Sequence, residues 1–369
     1  MGHKLRMFGT GLVLAVKPLR VPARPLHFQL EPATGCNLRC KMCQVPSYTR
    51  DQFKTMSLDR FRHIFDQIRP IKVALSGAGE PFLNKDLLAI VRYARERGAS
   101  VLTTTNFTLC SGKLEEIVDS GLSLLKVSID AARPETYAKI RGRDFHARIV
   151  RDIRELQRLK KEKRSATPYL RLQFVLQADS IGEAAEVVDL AHELGADSIY
   201  YQPLETLLVA DRKEELTHGV TFELLRRRLS EARDRAASLR IGSNAGILLK
   251  NLESYYRKYQ RGVPDEPPGR VCLLPWFSCY ITVDGNVRPC CSFGEGETLY
   301  FGNLFEQRFE EIWNSEKYRE FRRQSKERQL RYEVCRNCTP NRLREFVRLA
   351  GVLPGFLTSG PSASETIEA

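Results

Sequence analysis

No segment of the chain reads as a secretory signal. Its opening apolar stretch, Met7–Val16, is ten residues long, with Lys4 and Arg6 before it and Lys17 and Arg20 after. A bilayer span takes about 20 apolar residues, and no small-residue cleavage site follows this stretch. Internal repeats and RNA-binding fold signatures are missing as well. Ten cysteines in 369 residues are too sparse for a disulfide scaffold. Cysteines that cluster in a chain of this kind indicate a reducing cytosol, where they bind metal more often than they pair. The expected location is therefore cytoplasmic.

A chain this long forms one large or two modest domains and buries a substantial core. Its formal charge is +13, a balance that invites a nucleic-acid reading. The positives are dispersed, however. Across Phe145–Lys163 the apolar residues Phe145, Ile149, Ile153 and Leu156 recur at helical spacing. Arginines and lysines fill the other face, interrupted by Glu155 and Glu162. That pattern is a solvated helix face, and nucleic acid is not the expected partner. The N-terminal 24 residues, apolar with basic ends, suit peripheral contact with a membrane surface.

The most informative residues are Cys36, Cys40 and Cys43, in Thr34-Gly35-Cys36-Asn37-Leu38-Arg39-Cys40-Lys41-Met42-Cys43. Three thiolates this close reach one metal centre from a single loop. A structural tetrahedral zinc wants four ligands. A four-iron cluster held by three cysteines keeps one iron open, which implies chemistry rather than bracing.

From about residue 26 to 202, short β-branched or apolar runs alternate with helical patterns. The runs are His27–Leu30, Lys72–Leu75, Ser100–Thr104, Leu124–Ile129, Leu170–Leu176 and Ser198–Tyr201. Helices are expected near Leu58–Ile68, Lys85–Arg97, Lys113–Ser120, Phe145–Lys163 and Ile181–Leu194. Gly98, Gly121 and Gly195 follow helix ends, where a left-handed cap belongs. The alternation predicts an α/β fold with a parallel sheet, its working residues at the strand C-termini. The cysteine triplet follows the first strand at that end. Further helices are expected at Phe222–Leu239 and Ala245–Arg261, and Val263–Gly269 reads as a Pro-rich linker. The residues from Ser359 onward are small and polar, as in a disordered tail.

Other strand-end motifs are weaker. Ser76-Gly77-Ala78-Gly79-Glu80-Pro81 follows the second strand; glycines admit a ligand to the backbone, and a carboxylate accepts hydrogen bonds from an ammonium. It lacks the third glycine of a dinucleotide fingerprint. Thr103-Thr104-Thr105-Asn106 and Lys126-Val127-Ser128-Ile129-Asp130 end the third and fourth strands. Taken singly, such residues cap turns more often than they bind ligands.

Four further cysteines lie near the other end. Cys272 precedes Gly285 by twelve intervening residues, four more separate Gly285 from Cys290, and two separate Cys335 from Cys338. Asp284-Gly285-Asn286 marks a hairpin between Cys279–Thr282 and Val287–Pro289. Residue types alone allow a four-cysteine zinc knot here. Cys291 adjoins Cys290 as a rival ligand, and the spacing from Gly285 selects Cys290. Cys110 and Cys279 read as buried small apolar residues.

With three and then two residues between its cysteines, the triplet resembles the signature of the radical S-adenosylmethionine (radical SAM) superfamily. The resemblance covers roughly residues 26–342. It implies that Cys36, Cys40 and Cys43 hold a 4Fe–4S cluster whose open iron binds S-adenosylmethionine. Reductive cleavage would yield a 5′-deoxyadenosyl radical that takes a substrate hydrogen. Met42 stands where the family has an aromatic residue whose backbone contacts adenine. Gly79, Glu80 and Pro81 match the element that holds the methionine amino group, with Ala78 replacing a glycine. Asn106, Ser128 and Asp130 would lie near the ribose or methionine portion, and Arg141 near the carboxylate. No counterpart of the adenine element after the fifth strand is evident near Gln177–Asp179.

The C-terminal set, with Trp276 and Ile312-Trp313-Asn314-Ser315, resembles the first half of a SPASM domain. Since no cysteine follows Cys338, Cys272, Cys290, Cys335 and Cys338 would hold a single auxiliary 4Fe–4S cluster. That shortened form is a twitch domain, as in the butirosin-pathway 2-deoxy-scyllo-inosamine dehydrogenase. The resemblance further implies a partial (β/α)6 barrel over 26–202, between an N-terminal extension at 1–25 and a helical connection and linker at 203–269. The SPASM/twitch-like domain would occupy 270–342 and a tail 343–369. The implied activity is oxidation begun by hydrogen abstraction, with the auxiliary cluster as electron acceptor; peptide or lipid modification is the alternative. The implied partners are an electron donor such as flavodoxin or ferredoxin and a small-molecule or peptide substrate.

Overall fold

Short β-branched runs, each followed by an amphipathic helix, build six successive strands: β1 His27–Leu30, β2 Lys72–Leu75, β3 Ser100–Thr105, β4 Leu124–Ser128, β5 Tyr169–Leu176 and β6 Ser198–Pro203. Helix α1, His3–Val16, precedes them. Between them lie α2 Leu58–Ile68, α3 Leu87–Glu96, α4 Leu114–Asp119, α5 Pro134–Arg141, α6 His146–Glu162 and α7 Glu186–Glu193. Then come α8 Lys213–Thr217, α9 Phe222–Leu239, β7 Gly242–Ser243, α10 Ala245–Lys250 and α11 Leu252–Gln260. The last elements are β8 Ser278–Ile281, β9 Asn286–Arg288, β10 Gly302–Asn303, α12 Phe309–Trp313, α13 Glu316–Lys326 and α14 Glu333–Asn337. The computed structural model describes residues 3–43, 53–204, 206–260, 271–293 and 299–338. The Pro-rich linker Val263–Gly269 and the tail from Ser359 lie outside them. The predicted glycine caps adopt φ of +82°, +72° and +63° at Gly98, Gly121 and Gly195.

The chain forms two compact units. The first contains residues 3–34, 53–102 and 271–338. Its strand order is β10-β9-β8-β1-β2, with β1 parallel to β2 from His27↔Lys72 to Leu30↔Leu75. Phe28, Phe61, Phe65 and Tyr93 pack largely edge to face beneath it. The expected hairpin forms as β8 and β9, antiparallel through Ile281↔Val287. Gly285 turns it at φ +88°, where a Cβ would come within 2.4 Å of the Phe305 ring. The sequence gives no hint that β8 also pairs with β1, in parallel, from His27↔Ser278 to Leu30↔Ile281. The Cys-rich segment thus extends the sheet of β1.

The second unit contains residues 35–43 and 103–260. Here β4, β5, β6 and β7 run parallel in that order. Two local expectations need correction. Helix α5 went unpredicted, although Pro134 opens it and Gly142 closes it at φ +77°, the pairing of signals that marks helix ends. The single helix expected over Ala245–Arg261 is two, α10 and α11. Between them the Asn251 amide donates to Ile247 O at 2.8 Å, a local bond that competes with continuing the helix.

Candidate functional site

The cysteine loop that follows β1 in the chain is fixed by the second unit. Cys40 is buried and Cys36 and Cys43 are half-buried. Leu38 N donates to Cys36 Sγ at 3.4 Å, and Cys43 N to Cys40 O at 3.2 Å. Asn106, at the end of β3, turns its Nδ2 to Cys36 Sγ at 3.7 Å and to Asn37 Oδ1 at 2.9 Å. Its Oδ1 accepts from Thr108 N and Oγ1 at 2.9 and 2.7 Å. The Asn106 amide therefore sets the loop that carries the first thiol.

Arg141, the last residue of α5, donates from Nη1 to Cys40 Sγ at 3.4 Å, and its Nη2 is paired with Asp130 Oδ2. Asp130 is 1% exposed, and its Oδ1 accepts from Val175 N at 2.8 Å. Burial opposes the guanidinium charge, but Asp130 and Cys40 outweigh it and raise the Arg141 pKa above its ordinary value. Asp130 is thus committed inside the unit as the counter-ion of Arg141. Ser128 is half-buried and lies opposite Gln173 of β5. Met42 is half-buried in the turn between Cys40 and Cys43.

Sequence reasoning missed the outer ties of this loop. Lys41 Nζ binds Glu215 at 2.6 Å and Asp179 at 3.4 Å, which raises the Lys41 pKa chiefly through the Glu215 hydrogen bond. Arg212 donates to Lys41 O at 2.8 Å and to Cys43 O at 3.2 Å. The loop backbone is therefore clamped between β5 and α8, by residues that carry no local motif.

The donor set fits an iron–sulfur cluster with S-adenosylmethionine. One loop carries the three thiols, and cationic Arg141 donates to the sulfur of Cys40. Arg141 Nε is buried without a hydrogen-bond partner among the described residues. Both polar atoms of the Gln177 amide, 1% exposed just past β5, also lack one among those residues. Buried polar groups rarely stay unpaired, and these two are suited to a carboxylate and to a base edge.

Gly79, Glu80 and Pro81 belong to the first unit, at the C-terminal end of β2. Glu80 is 3% exposed and caps the turn Pro81–Leu83, its Oε1 accepting from Phe82 N at 3.0 Å. Just before them, Gly77 lies where a Cβ would stand 2.3 Å from Glu31 Cγ and 2.7 Å from the Tyr280 hydroxyl. Glu31, also missed, is buried; it accepts from Tyr280 OH at 2.6 Å and from Val283 N at 3.2 Å.

The second cysteine set lies in the first unit as well. Cys272 is held by Ser325, whose Oγ accepts from Cys272 N at 3.0 Å and donates to Cys272 O at 2.8 Å. Cys335 is in α14, and Cys338 N donates to Cys335 O at 3.4 Å. Burial pushes the Cys290 thiol well up, and Cys291, Cys272 and Cys338 add to the rise. Among the described residues, no three such donors converge as on a single ion; in a cluster each thiolate binds its own iron. Cys291 is exposed, whereas Cys110 and Cys279 are buried.

Two regions of the chain match known protein families. The profile of the radical SAM superfamily matches residues 30–171, and that of SPASM, an iron–sulfur cluster-binding domain, matches 272–339. The tungsten-containing aldehyde ferredoxin oxidoreductase cofactor-modifying protein of Pyrococcus furiosus is 25% identical over 350 residues, 88% of this chain and 90% of that protein. The AdoMet-dependent heme synthase of Methanosarcina barkeri is 25% identical over 301 residues, 79% of this chain and 83% of that one. The PqqA peptide cyclase of Rhizobium meliloti is 25% identical over 325 residues, 85% and 79% of the two chains. Among solved structures, Streptococcus suis SuiB bound to its precursor peptide SuiA superposes with a TM-score of 0.63 at 17% identity, covering 88% of this chain and 73% of that one. These similarities establish an α/β radical SAM fold followed by a SPASM domain.

Proposed function

The chain belongs to the radical SAM superfamily and carries a SPASM domain, and from that premise we propose that it oxidises a carbon centre of its substrate by two electrons. It is an enzyme that uses S-adenosylmethionine with a 4Fe–4S cluster, and the SPASM domain implies auxiliary iron–sulfur binding. Bound together, cluster and S-adenosylmethionine supply a 5′-deoxyadenosyl radical that removes one hydrogen atom from the substrate. Cys36, Cys40 and Cys43 would hold that cluster, Arg141 would meet the methionine carboxylate, and Gly79, Glu80 and Pro81 its amino group.

The observation that carries the oxidation is the second set. Cys272, Cys290, Cys335 and Cys338 would supply a thiolate for each of four irons, leaving none open to bind substrate. A centre closed in this way serves electron transfer. After hydrogen abstraction and loss of a proton, the substrate still sheds one electron, and these cysteines would hold its acceptor. A donor of the flavodoxin or ferredoxin kind would supply the electron that starts the cycle.

Both small molecules and peptides fit as substrate. Peptide cross-linking is the second reading, favoured by the similarity to PqqA peptide cyclase across most of both chains.

Iron and sulfide content after anaerobic reconstitution tests the ligand sets. The natural sequence should hold about eight irons and the Cys36/Cys40/Cys43 triple alanine variant about four. Loss of the C-terminal iron on changing Cys290, and its retention on changing Cys291, would fix the fourth ligand. Mass spectrometry of the product then tests the reaction: a product lighter by two hydrogens supports oxidation or cross-linking, and one of unchanged mass refutes both.

A further inference from the structure

Helix α1 carries its apolar side chains on the wrong face for a helix packed on a soluble protein. Leu5, Phe8, Leu12 and Val16 are 56%, 75%, 61% and 60% exposed. They recur at intervals of three and four residues and so line one stripe, about 16 Å long at 1.5 Å per residue. Thr10 and Leu14, on the opposite face, are 2% exposed. Arg6, the one charged residue between Leu5 and Val16, turns away from solvent and donates to Arg69 O and Pro25 O. A helix on a protein surface ordinarily exposes its polar side; this one exposes a continuous aliphatic and aromatic ridge.

The helix is also firmly mounted. The segment after it is pinned by Trp276 Nε1 to Pro18 O at 2.8 Å, Arg322 Nη1 to Leu19 O at 3.0 Å, and Trp313 Nε1 to Ala23 O at 3.0 Å. Asn314 adds a reciprocal pair with Val21 at 2.8 and 3.0 Å. Arg322 itself is fully buried, its guanidinium 4.5 Å from the centroids of both the Trp313 and Tyr318 rings.

We infer that the α1 ridge seats the enzyme on an anionic lipid surface. Charge selects this occupant. The first thirty residues contain no Asp or Glu; of their cations, Arg6 is spent on the Arg69 and Pro25 carbonyls and Arg24 pairs with Glu310 at 2.6 Å, which leaves Lys17 and Arg20 beside the ridge. Lys17 and Arg20 directly follow the last apolar residue of the ridge, and Arg20 is exposed. An apolar stripe with basic residues at its margin is the composition that lies in a lipid interface, aliphatic side down and cations against phosphate. A second copy of the chain would cover the ridge too, but it would bring two all-basic segments face to face. Fourteen residues are too few to span a bilayer, and no helix among the described residues is long and apolar enough to do so. The helix therefore lies along the interface.

The test is flotation of the reconstituted enzyme with vesicles of phosphatidylcholine containing about one-third phosphatidylglycerol, beside vesicles of phosphatidylcholine alone. The natural sequence should float with the anionic vesicles and much less with the neutral ones. The variant F8E/L12E should partition at least about tenfold more weakly, with its iron content, thermal midpoint and S-adenosylmethionine cleavage unchanged, because neither side chain is packed. In a second variant, F8W, the new indole should be quenched by brominated lipid; Trp276 and Trp313 are buried and stay silent. Absence of flotation overturns the inference, as does equal flotation of F8E/L12E. A dimer in sedimentation velocity that F8E/L12E dissociates, without vesicle binding, would assign the ridge to self-association instead.

Discussion

Arg141 and Cys40 touch: a guanidinium nitrogen lies 3.4 Å from the sulfur, and the same side chain is paired with Asp130. A buried charge pair gains little net stability, because desolvation offsets the attraction, but removing one partner costs roughly 3–5 kcal/mol. Arg141→Met should therefore destabilise the apo protein by about that amount, as should Asp130→Asn. The double variant should lose clearly less than the sum, because neither charge is then stranded. Urea unfolding under reducing conditions measures all three; simple additivity would show that the pair is not coupled.

Gln177 makes the opposite kind of prediction. Its amide is buried and unbonded among the described residues, a state that costs roughly 1–3 kcal/mol in the absence of a partner. Gln177→Leu should leave the apo protein at least as stable and weaken S-adenosylmethionine binding by about tenfold, the same range of energy. Equilibrium dialysis with the reconstituted enzyme decides it. Unchanged affinity would assign the amide no role in the ligand site.

Local signals made the strands readable. Lys72–Leu75 and His27–Leu30 lie between breakers, and the structure begins and ends them at those residues. Cys36, Cys40 and Cys43 stand out in the sequence for a similar reason, since their spacing along one loop is a local signal. The pairing of β8 with β1 was not legible, because Ser278–Ile281 states nothing about which edge it will join across some 250 residues. The same holds for Arg212, Asp179 and Glu215. Each is an unremarkable charged residue in sequence and meets the cysteine loop only through the fold. Helix α5 is different: Pro134 and Gly142 announced it, and the signal was there to be used.

Gly77 is predicted to tolerate no side chain. A methyl group there would overlap Glu31 Cγ at 2.3 Å, an atom close to the backbone of a buried residue that cannot swing aside. Gly77→Ala should cost about 1–3 kcal/mol, the usual price of overpacking. Glu31→Ala removes the nearer clash and frees the Tyr280 hydroxyl, 2.7 Å from the same Cβ, to move, so adding Gly77→Ala to it should cost less than adding it to the natural sequence. Thermal melts of the two singles and the double give the coupling, and equal costs in both backgrounds would show that the crowding is relieved by other means.

Arg212 bridges two carbonyls of the cysteine loop, Lys41 O and Cys43 O, with two nitrogens of one planar group. Its removal takes this donor from both carbonyls, while Lys41 still ties the turn to β5 and α8 through Asp179 and Glu215. The loop should then open more often, and an opened loop exposes iron. Arg212→Ala should speed loss to a chelator, severalfold, of the cluster proposed for Cys36, Cys40 and Cys43. Arg212→Lys should rescue little, because an ammonium does not reproduce the fixed fork of a guanidinium. The auxiliary cluster proposed for Cys272, Cys290, Cys335 and Cys338 would give an internal control: its half of the iron should leave at the same rate in every variant. Equal rates for both halves in Arg212→Ala and the natural sequence would mean that the clamp contributes nothing to holding the cluster.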